Sequence, residues 1–350
     1  MEFKIQNKMV GAGHPLFFIA EAGVNHNGSI DVGKKLIDIA AHAGADAVKF
    51  QTFKASELNT KTAPKSTYHI ETTGNDEEQS WYELLKTQEI SLEMHKVLME
   101  YCQEKRIIFL STPYGFESAD LLDSIGVPAY KIASTDTNNI PLLEYIAKKG
   151  KPMILSSAMT TMQEVSDAIF AVRNAGLLDM ALLQCTGNYP AKLESSNLKV
   201  MNTYKKEFGC VVGYSDHTEE ITNAIAATAM GAKIFEKHFT IDKNMPGPDH
   251  RMSVDPIELG ETISAIRKCE VTLGSDIKKI LPEEIENRLK LRKSIVSIVD
   301  INEGQAIARG MLGIKRPGGG LEPKEFKNIL GRRAKSFIQK DTTLREEMID

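Results

Sequence analysis

Cysteine is scarce in this chain. There are four in 350 residues (Cys102, Cys185, Cys210 and Cys269), with no CxxC pair among them. That excludes a disulfide-stapled scaffold and a cysteine-rich zinc module. The expectation is reduced thiols, buried as small apolar residues, in a cytoplasmic protein. Cys185 and Cys210, in consecutive predicted strands, are read in the same way. Long hydrophobic runs are also missing, since no stretch reaches the roughly 18 apolar residues that a membrane helix needs. The opening MEFKIQNKMV has neither an apolar core nor a cleavage site, so no secretory signal and no membrane association are expected. Excess charge is lacking too: 43 Lys and Arg against 47 Asp and Glu leave −4, mixed along the sequence. A nucleic-acid binder would carry a basic face, so nucleic acid is not an expected partner. With 42 % hydrophobic and 26 % charged residues, wholesale disorder is excluded.

What is present is one pattern repeated eight times in the first 250 residues. A short apolar, β-branched run gives way to polar residues and then to a helix-period segment. The runs lie at 16–23, 46–53, 107–113, 129–134, 152–158, 180–187, 210–217 and 233–240. Near-continuous apolar runs suit strands of a parallel sheet covered on both faces. Between them, a segment such as DVGKKLIDIAAHAGA aligns Val32, Leu36, Ile37 and Ala40 on one stripe, with Gly44 as the expected C-cap. Eight such units predict an α/β fold, a (β/α)8 TIM barrel, over residues 1–275. A doubly wound sheet is the competing architecture. Residues 54–90 form a long polar insertion after the second strand, where loops carry function. A charged, proline-containing stretch at 276–290 reads as a linker. Residues 291–350 hold short strands between Gly/Pro turns, a small β-rich domain.

In a parallel barrel the chemistry sits at the C-terminal ends of the strands, and here all eight ends are polar. They present Glu21, Asn25 and His26; Lys49 and Gln51; Ser111 and Thr112; Lys131 and Ser134; Ser156 and Ser157; Thr186, Asn188 and Tyr189; Ser215, Asp216 and His217; and Glu236, Lys237 and His238. Lys49 and Lys131 interrupt apolar strands, and a buried ammonium needs a partner. Beside serine and threonine hydroxyls they suit an anionic ligand, most simply a phosphate; local pairing with Glu21 or Glu236 is the plainer alternative. His217 and His238, with Glu21, Asp216 and Glu236 nearby, suit a divalent metal with open positions, or else are two hydrogen-bonding histidines. Asp249 and His250 follow rigid Pro-Gly-Pro turns that could hold a side chain over the site.

Eight motifs in order carry a resemblance: EAGVNHNG (21–28), VKFQT (48–52), STP (111–113), YKI (130–132), GYSDHT (213–218), EKHFT (236–240), GPDH (247–250) and KRPG (315–318). Together they resemble the sialic-acid synthase family over essentially the whole chain, the C-terminal part resembling its antifreeze-like (SAF) domain. The family includes N-acetylneuraminate and N,N′-diacetyllegionaminate synthases. The resemblance implies condensation of phosphoenolpyruvate with an N-acetylated amino sugar, helped by a divalent metal (Mn²⁺ or Mg²⁺), in a domain-swapped homodimer. By resemblance, Lys49, Thr112, Lys131, Ser134, Ser156 and Ser215 match phosphoenolpyruvate-binding positions, and His217 and His238 match metal ligands. Glu21 matches an acid beside the reacting centre. Gln51, Asn75, Tyr189 and Asp249 match positions around the sugar, where Asn188 and Glu236 are also expected. Arg316 matches an arginine that enters the site of the other subunit. Asp136 stands where many relatives carry Glu. This departure and others near it bear on the sugar, for which N-acetylmannosamine is the first expectation and 2,4-diacetamido-2,4,6-trideoxymannose the second. A metal-dependent barrel aldolase or hydrolase, or a non-catalytic binding module, would share some of these features but not the ordered set.

Overall fold

Residue parity along the strands decides how the chain closes. In the computed structural model, which describes residues 1–75 and 79–350, an antiparallel hairpin comes first, β1 (Glu2–Ile5) and β2 (Lys8–Gly11). Eight parallel strands follow: β3 (Phe17–Gly23), β4 (Ala47–Thr52), β5 (Ile108–Pro113), β6 (Tyr130–Ile132), β7 (Met153–Ser156), β8 (Met180–Cys185), β9 (Val211–Asp216) and β10 (Ile234–His238). They close in sequence order, with β10 returning to β3. The expected barrel is therefore the observed fold, and the doubly wound alternative is excluded by the closure.

Alternate residues of each strand enter two different cores. Phe17, Ile19, Ala47, Ile108, Leu110, Ala129, Ile154, Ala181, Leu183, Val211 and Ile234 pack together inside the barrel. Phe18, Ala20, Val48, Phe50, Phe109, Tyr130, Leu155, Leu182, Tyr214 and Phe235 face the surrounding helices. The hairpin adds Phe3, Ile5 and Val10 to the inner core, closing the end away from the polar strand termini. Each such buried side chain contributes roughly 1.5–3 kcal/mol. The sequence pattern did not reveal this plug, because two four-residue strands lack a readable period.

Helices start and stop where the sequence suggests. The Ser29 hydroxyl caps the helix Ile30–Ala43, and Gly44 ends it at φ 85°. The long insertion after β4 is not a structureless loop. It forms three short helices, Ala55–Leu58, Thr67–Thr73 and Trp81–Thr87. No helix among the described residues is long and apolar enough to cross a membrane.

The chain divides into two compact units, Met1–Gly274 and Ser275–Asp350. In the second, β11 (Ser294–Ser297) and β12 (Leu312–Lys315) pair antiparallel over a core that includes Ile295, Ile301, Ile338 and Leu344. The stretch read as a linker holds a 3-10 turn, Pro282–Glu284, and the start of a short helix, Ile285–Leu291, neither with a buried residue.

Candidate active site

The parity that fills the lower barrel with apolar groups turns polar groups inward above them. After Phe17 and Ile19 comes Glu21; after Ala47 comes Lys49; after Ala129 comes Lys131; after Ile154 comes Ser156; after Ile234 come Glu236 and His238. The first unit thus holds a cavity of about 590 Å³ at the C-terminal ends of the strands. Fourteen of the residues expected in the site line it: Glu21, Lys49, Gln51, Thr112, Lys131, Ser134, Asp136, Ser156, Tyr189, Ser215, His217, Glu236, His238 and Asp249.

Its floor is a buried quartet of charges. Lys49 Nζ lies 2.9 Å from Glu21 Oε2 and 3.9 Å from Glu236 Oε2, and Lys131 Nζ lies 3.5 Å from Glu236 Oε1. Hydroxyls and a carboxamide complete it. Lys49 donates to Thr112 Oγ1 (2.9 Å), Lys131 to Ser156 Oγ (2.7 Å), Gln51 to Glu21 Oε1 (3.0 Å) and Ser215 to Glu236 Oε1 (3.1 Å). Two carboxylate oxygens, Glu21 Oε2 and Glu236 Oε2, have no hydrogen-bond partner; the close approach of Lys49 to Glu21 Oε2 is electrostatic but off the direction a hydrogen bond needs. Burial, opposed by Lys49, pushes the Glu21 carboxyl up to about 7. Burial would raise Glu236 as well, but Lys131 and Lys49 outweigh it and hold that carboxyl below its ordinary value. Burial lowers Lys131. It would lower Lys49 too, were it not outweighed by Glu21 and Glu236, which hold that ammonium above its ordinary value. Near neutrality a carboxyl at about 7 leaves Glu21 partly protonated.

Above the floor stand the two histidines, ring centroids 5.5 Å apart. His217 Nδ1 donates to the Thr186 carbonyl (2.8 Å), so that in the neutral ring it is Nε2 that carries the lone pair. Burial would lower His217, but the Cys185 sulfur and the Thr186 carbonyl outweigh it and raise the basicity of the ring. His238 Nδ1 is buried without a hydrogen-bond partner, 3.9 Å from Asp249 Oδ2. Burial first, then neighbouring His217, pushes His238 well below its ordinary value. Two lone pairs and nearby unpartnered carboxylate oxygens are a donor set that fits an open divalent-metal site. Among the described residues no three His, Cys, Asp or Glu side chains converge into a preformed set, so water or substrate would complete the shell.

Around the histidines, Tyr189 packs on His217 with ring centroids 4.3 Å apart. Ser134 Oγ accepts from the Ala158 amide (2.9 Å), leaving its O–H as a donor. Asp136 Oδ1 accepts from Asn139 (2.9 Å), and burial raises its carboxyl. Asp249 is raised to about 6, by burial first, with His217 and Lys49 opposing. Gly23, at φ 53° after a register shift between β3 and β4, leaves the room that Asp249, Gln51 and Glu21 share. A Cβ there would lie 3.2–3.4 Å from all three side chains.

Three expected residues are not in the described lining. Asn188 is exposed and lines a neighbouring cavity with Met159, Thr186 and Asn197, because the chain turns it away as Gly187 and Tyr189 face the site. Asn75 lies beside the undescribed residues 76–78, and its carbonyl accepts from Lys65 (3.4 Å). Arg316 belongs to the second unit, exposed just after β12. Asp216, read with the carboxylates around the histidines, points the other way: it is buried on the outer face of the barrel against Lys237 (2.6 Å). In turn, sequence reasoning missed other groups in the cavity wall, among them Cys185, Tyr114, and the pair His69 and Trp81. Cys185 lies 3.7 Å from His217 Nδ1 and shares the inward parity of Ala181 and Leu183, which was the available signal. His69 and Trp81, stacked at 4.3 Å, come from the insertion, where no strand period could point them.

Residues 36–278 match the model of the NeuB family and residues 292–350 that of the SAF domain. The chain is 42 % identical to an N,N′-diacetyllegionaminic acid synthase of Campylobacter jejuni, over 94 % of this chain and 98 % of that one. It is 43 % identical to the protein of the same name from Legionella pneumophila, over 97 % and 96 %. Among solved structures, the N-acetylneuraminic acid (sialic acid) synthetase of Leptospira borgpetersenii superposes with a TM-score of 0.72 at 32 % identity, covering 82 % of this chain and 95 % of that one. A parallel barrel with this cavity at its C-terminal face, matched end to end by such relatives, identifies the chain as a member of the NeuB family, the sialic-acid synthases, and so as a C–C bond-forming transferase with a C-terminal SAF domain.

Proposed function

We propose that this enzyme joins phosphoenolpyruvate to an open-chain N-acetylated mannosamine-type sugar and water, giving a nine-carbon α-keto acid and inorganic phosphate. The observation that carries the reading is the buried quartet of two lysines and two carboxylates beneath two adjacent histidines. Lys49 and Lys131 neutralise the phosphate and carboxylate of phosphoenolpyruvate, and Thr112, Ser134, Ser156 and Ser215 supply neutral donors. C3 of phosphoenolpyruvate forms the new bond to the aldehyde carbon as the C=O π bond opens, and the resulting alkoxide takes up a proton to become a hydroxyl. Positive charge develops at C2 between the carboxylates of Glu21 and Glu236. Water adds to C2, and its proton passes to Glu21, whose carboxyl at about 7 is poised for that transfer. The adduct then collapses to the ketone as the C–O bond to phosphate breaks. His217 and His238 would hold a divalent cation, Mn²⁺ or Mg²⁺, whose Lewis acidity serves the aldehyde oxygen. Gln51, Tyr189 and Asp249 orient the sugar.

For the acceptor we favour 2,4-diacetamido-2,4,6-trideoxymannose over N-acetylmannosamine, the first expectation from sequence. The outer wall supports this. It includes Val24, Leu58, Trp81, Leu85 and Met252 beside the polar Glu57, Asn59, Tyr68, His69 and Gln88, while the lysines of the described lining are Lys49 and Lys131 on the floor. Methyl and acetamido groups suit such a wall better than hydroxyls do. Both legionaminic acid synthases named above point the same way. Phosphate release from phosphoenolpyruvate, assayed with each sugar and with Mn²⁺ or Mg²⁺, tests the reading. Release dependent on the trideoxy sugar is expected. Release without any sugar, or none with either, would overturn the reaction; preference for N-acetylmannosamine would overturn the acceptor.

The enzyme also reads as a cytoplasmic, domain-swapped homodimer in which Arg316 of one copy completes the site of the other. In support, Arg316 is exposed and makes no side-chain hydrogen bond or ion pair among the described residues, and all four cysteines are unpaired. Co-refolding an inactive His217→Ala chain with an inactive Arg316→Ala chain should restore part of the activity. Inactive heterodimers would refute the sharing.

A further inference from the structure

Asp249 reaches the cavity from residues 241–253, a segment with no helix or strand of its own. Two asparagines of the loop after β3 hold that segment. Asn27 Nδ2 donates to the Pro246 carbonyl (2.9 Å) and to His250 Nε2 (3.2 Å). His250 is fully buried. Because its Nε2 accepts, its Nδ1 carries the proton, and it donates to Thr240 Oγ1 (2.6 Å). Asn25 Nδ2 donates to the Phe239 carbonyl (2.8 Å) and to Ser253 Oγ (3.0 Å). Ser253 Oγ in turn donates to the carbonyl of Asp249 itself (2.6 Å).

The approach is as close as the backbone permits. Gly247 sits at φ 149°, and a Cβ there would come within 2.7 Å of His250 Cδ2 and 3.0 Å of Asn27 Oδ1. Asn27 has φ 47°, a conformation that Asn adopts more readily than most residues and that aims its side chain at the segment. Asp249 is thus tied on both sides, through its own carbonyl and through the residue that follows it. None of Asn25, Asn27, His250 and Ser253 is in the described cavity lining, so none has a direct hand in the chemistry.

We propose that Asn27 and His250 are positioning residues that set the Asp249 carboxylate over the sugar subsite beside His238. The proposal rests on the reading of Asp249 as a sugar contact. Geometry of this kind matters because a displacement of about 1 Å near a reacting group costs on the order of 100-fold in rate.

The test uses full-length enzyme and steady-state kinetics for both substrates. Asn27→Gly keeps the backbone conformation and removes the donor; His250→Leu removes the polar ring, and His250→Gln restores a donor and an acceptor. Asn27→Gly and His250→Leu should each raise the sugar KM or lower kcat by about 10- to 100-fold with the KM for phosphoenolpyruvate unchanged, and His250→Gln should recover much of the loss. In an Asp249→Ala background, Asn27→Gly should cost nothing further. If Asn27→Gly costs the same factor in that background, or if both KM values move together, the residues do not act through Asp249 and the proposal fails. If Asp249→Ala weakens the sugar while Asn27→Gly and His250→Gln behave as wild type, the positioning fails but the sugar contact stands. If Asp249→Ala leaves the sugar kinetics untouched, the sugar contact is refuted and the positioning role falls with it. Should His250→Leu not fold, Asn27→Gly and His250→Gln carry the same comparisons.

Discussion

Two lysine–carboxylate networks lie on opposite faces of the barrel sheet, with β10 common to both. On the outer face Lys237 and Asp216, 2 % and 1 % exposed, pair at 2.6 Å. Lys237 also donates to the Thr218 carbonyl, and Asp216 Oδ1 accepts from the Thr218 amide (3.1 Å) and hydroxyl (2.8 Å) and from Asn223 (3.3 Å). On the inner face, Lys49, Lys131, Glu21 and Glu236 are as deeply buried but leave two carboxylate oxygens with an ion pair to Lys49 and no hydrogen bond. One network is satisfied within the fold. The other is satisfied only in part, and its remaining valence faces a cavity. Burial alone does not separate structure from function here; what separates them is whether the polar atoms are used up.

Breaking the outer pair should have the largest effect on stability. Lys237→Met leaves Asp216 buried with its cation gone, a loss of about 3–5 kcal/mol. Urea unfolding of the ligand-free enzyme should show it as a lower midpoint. A midpoint unchanged from wild type would mean that the outer pair is no more structural than the inner one.

The inner network predicts a pH dependence instead. The folded chain holds the Glu21 proton more tightly than the unfolded chain does, since burial raises this carboxyl from 4.5 to about 7. That stability is fully present below about pH 4.5 and is lost as pH rises through 7, a loss of at most about 3 kcal/mol. Glu21→Gln should remove this fall from the thermal midpoint of the ligand-free enzyme while abolishing most turnover. A variant that keeps the wild-type slope would assign the titration to another group.

Lys131→Met comes next. A charge-assisted hydrogen bond is worth about 1.5–3 kcal/mol, so without the ammonium the KM for phosphoenolpyruvate should rise roughly 10- to 150-fold. Stability should hold or improve, because burial already works against this ammonium and Glu236 keeps Lys49 nearby. Removing Lys131 thus weakens substrate affinity, whereas removing Lys237 weakens the fold. An effect of Lys131→Met confined to the sugar KM would contradict its place beside phosphoenolpyruvate.

Much of this was legible in the sequence, for identifiable reasons. Lys49 and Lys131 stood out because a charge inside an apolar strand is conspicuous whichever face it takes. His217 and His238 stood out as strand-end histidines in consecutive units. The faces themselves were harder. Asp216 and His217 are adjacent in sequence, and a period of two sends them to opposite sides of the sheet. Reading only the strand ends grouped them; tracing parity back to Tyr214 and Phe235 would have put Asp216 and Lys237 outside. The same parity would have turned Cys185 inward. The wall formed by His69 and Trp81 was not readable at all, since short helices in an insertion have neither a period nor a fixed register against the barrel.

A smaller loss of stability than that of Lys237→Met tests the space left on the inner face. Gly23 carries no side chain where Glu21, Gln51 and Asp249 meet, and its φ of 53° disfavours a Cβ. Gly23→Ala should therefore cost about 1 kcal/mol through the backbone alone. The added methyl would stand 3.2 Å from Asp249 Oδ2, 3.3 Å from Gln51 Nε2 and 3.4 Å from Glu21 Oε1, so these groups must give way by a few tenths of an ångström. Neither Lys49 nor Lys131 supplies one of its three nearest atoms. The sugar KM should therefore rise while that for phosphoenolpyruvate holds, with only a small drop in unfolding midpoint. Equal losses for both substrates would show that the sugar side and the phosphate side of the cavity move as one body. A loss of stability as large as that of Lys237→Met would show that the inner face is packed as tightly as the outer one, and the contrast between the two networks would not survive it.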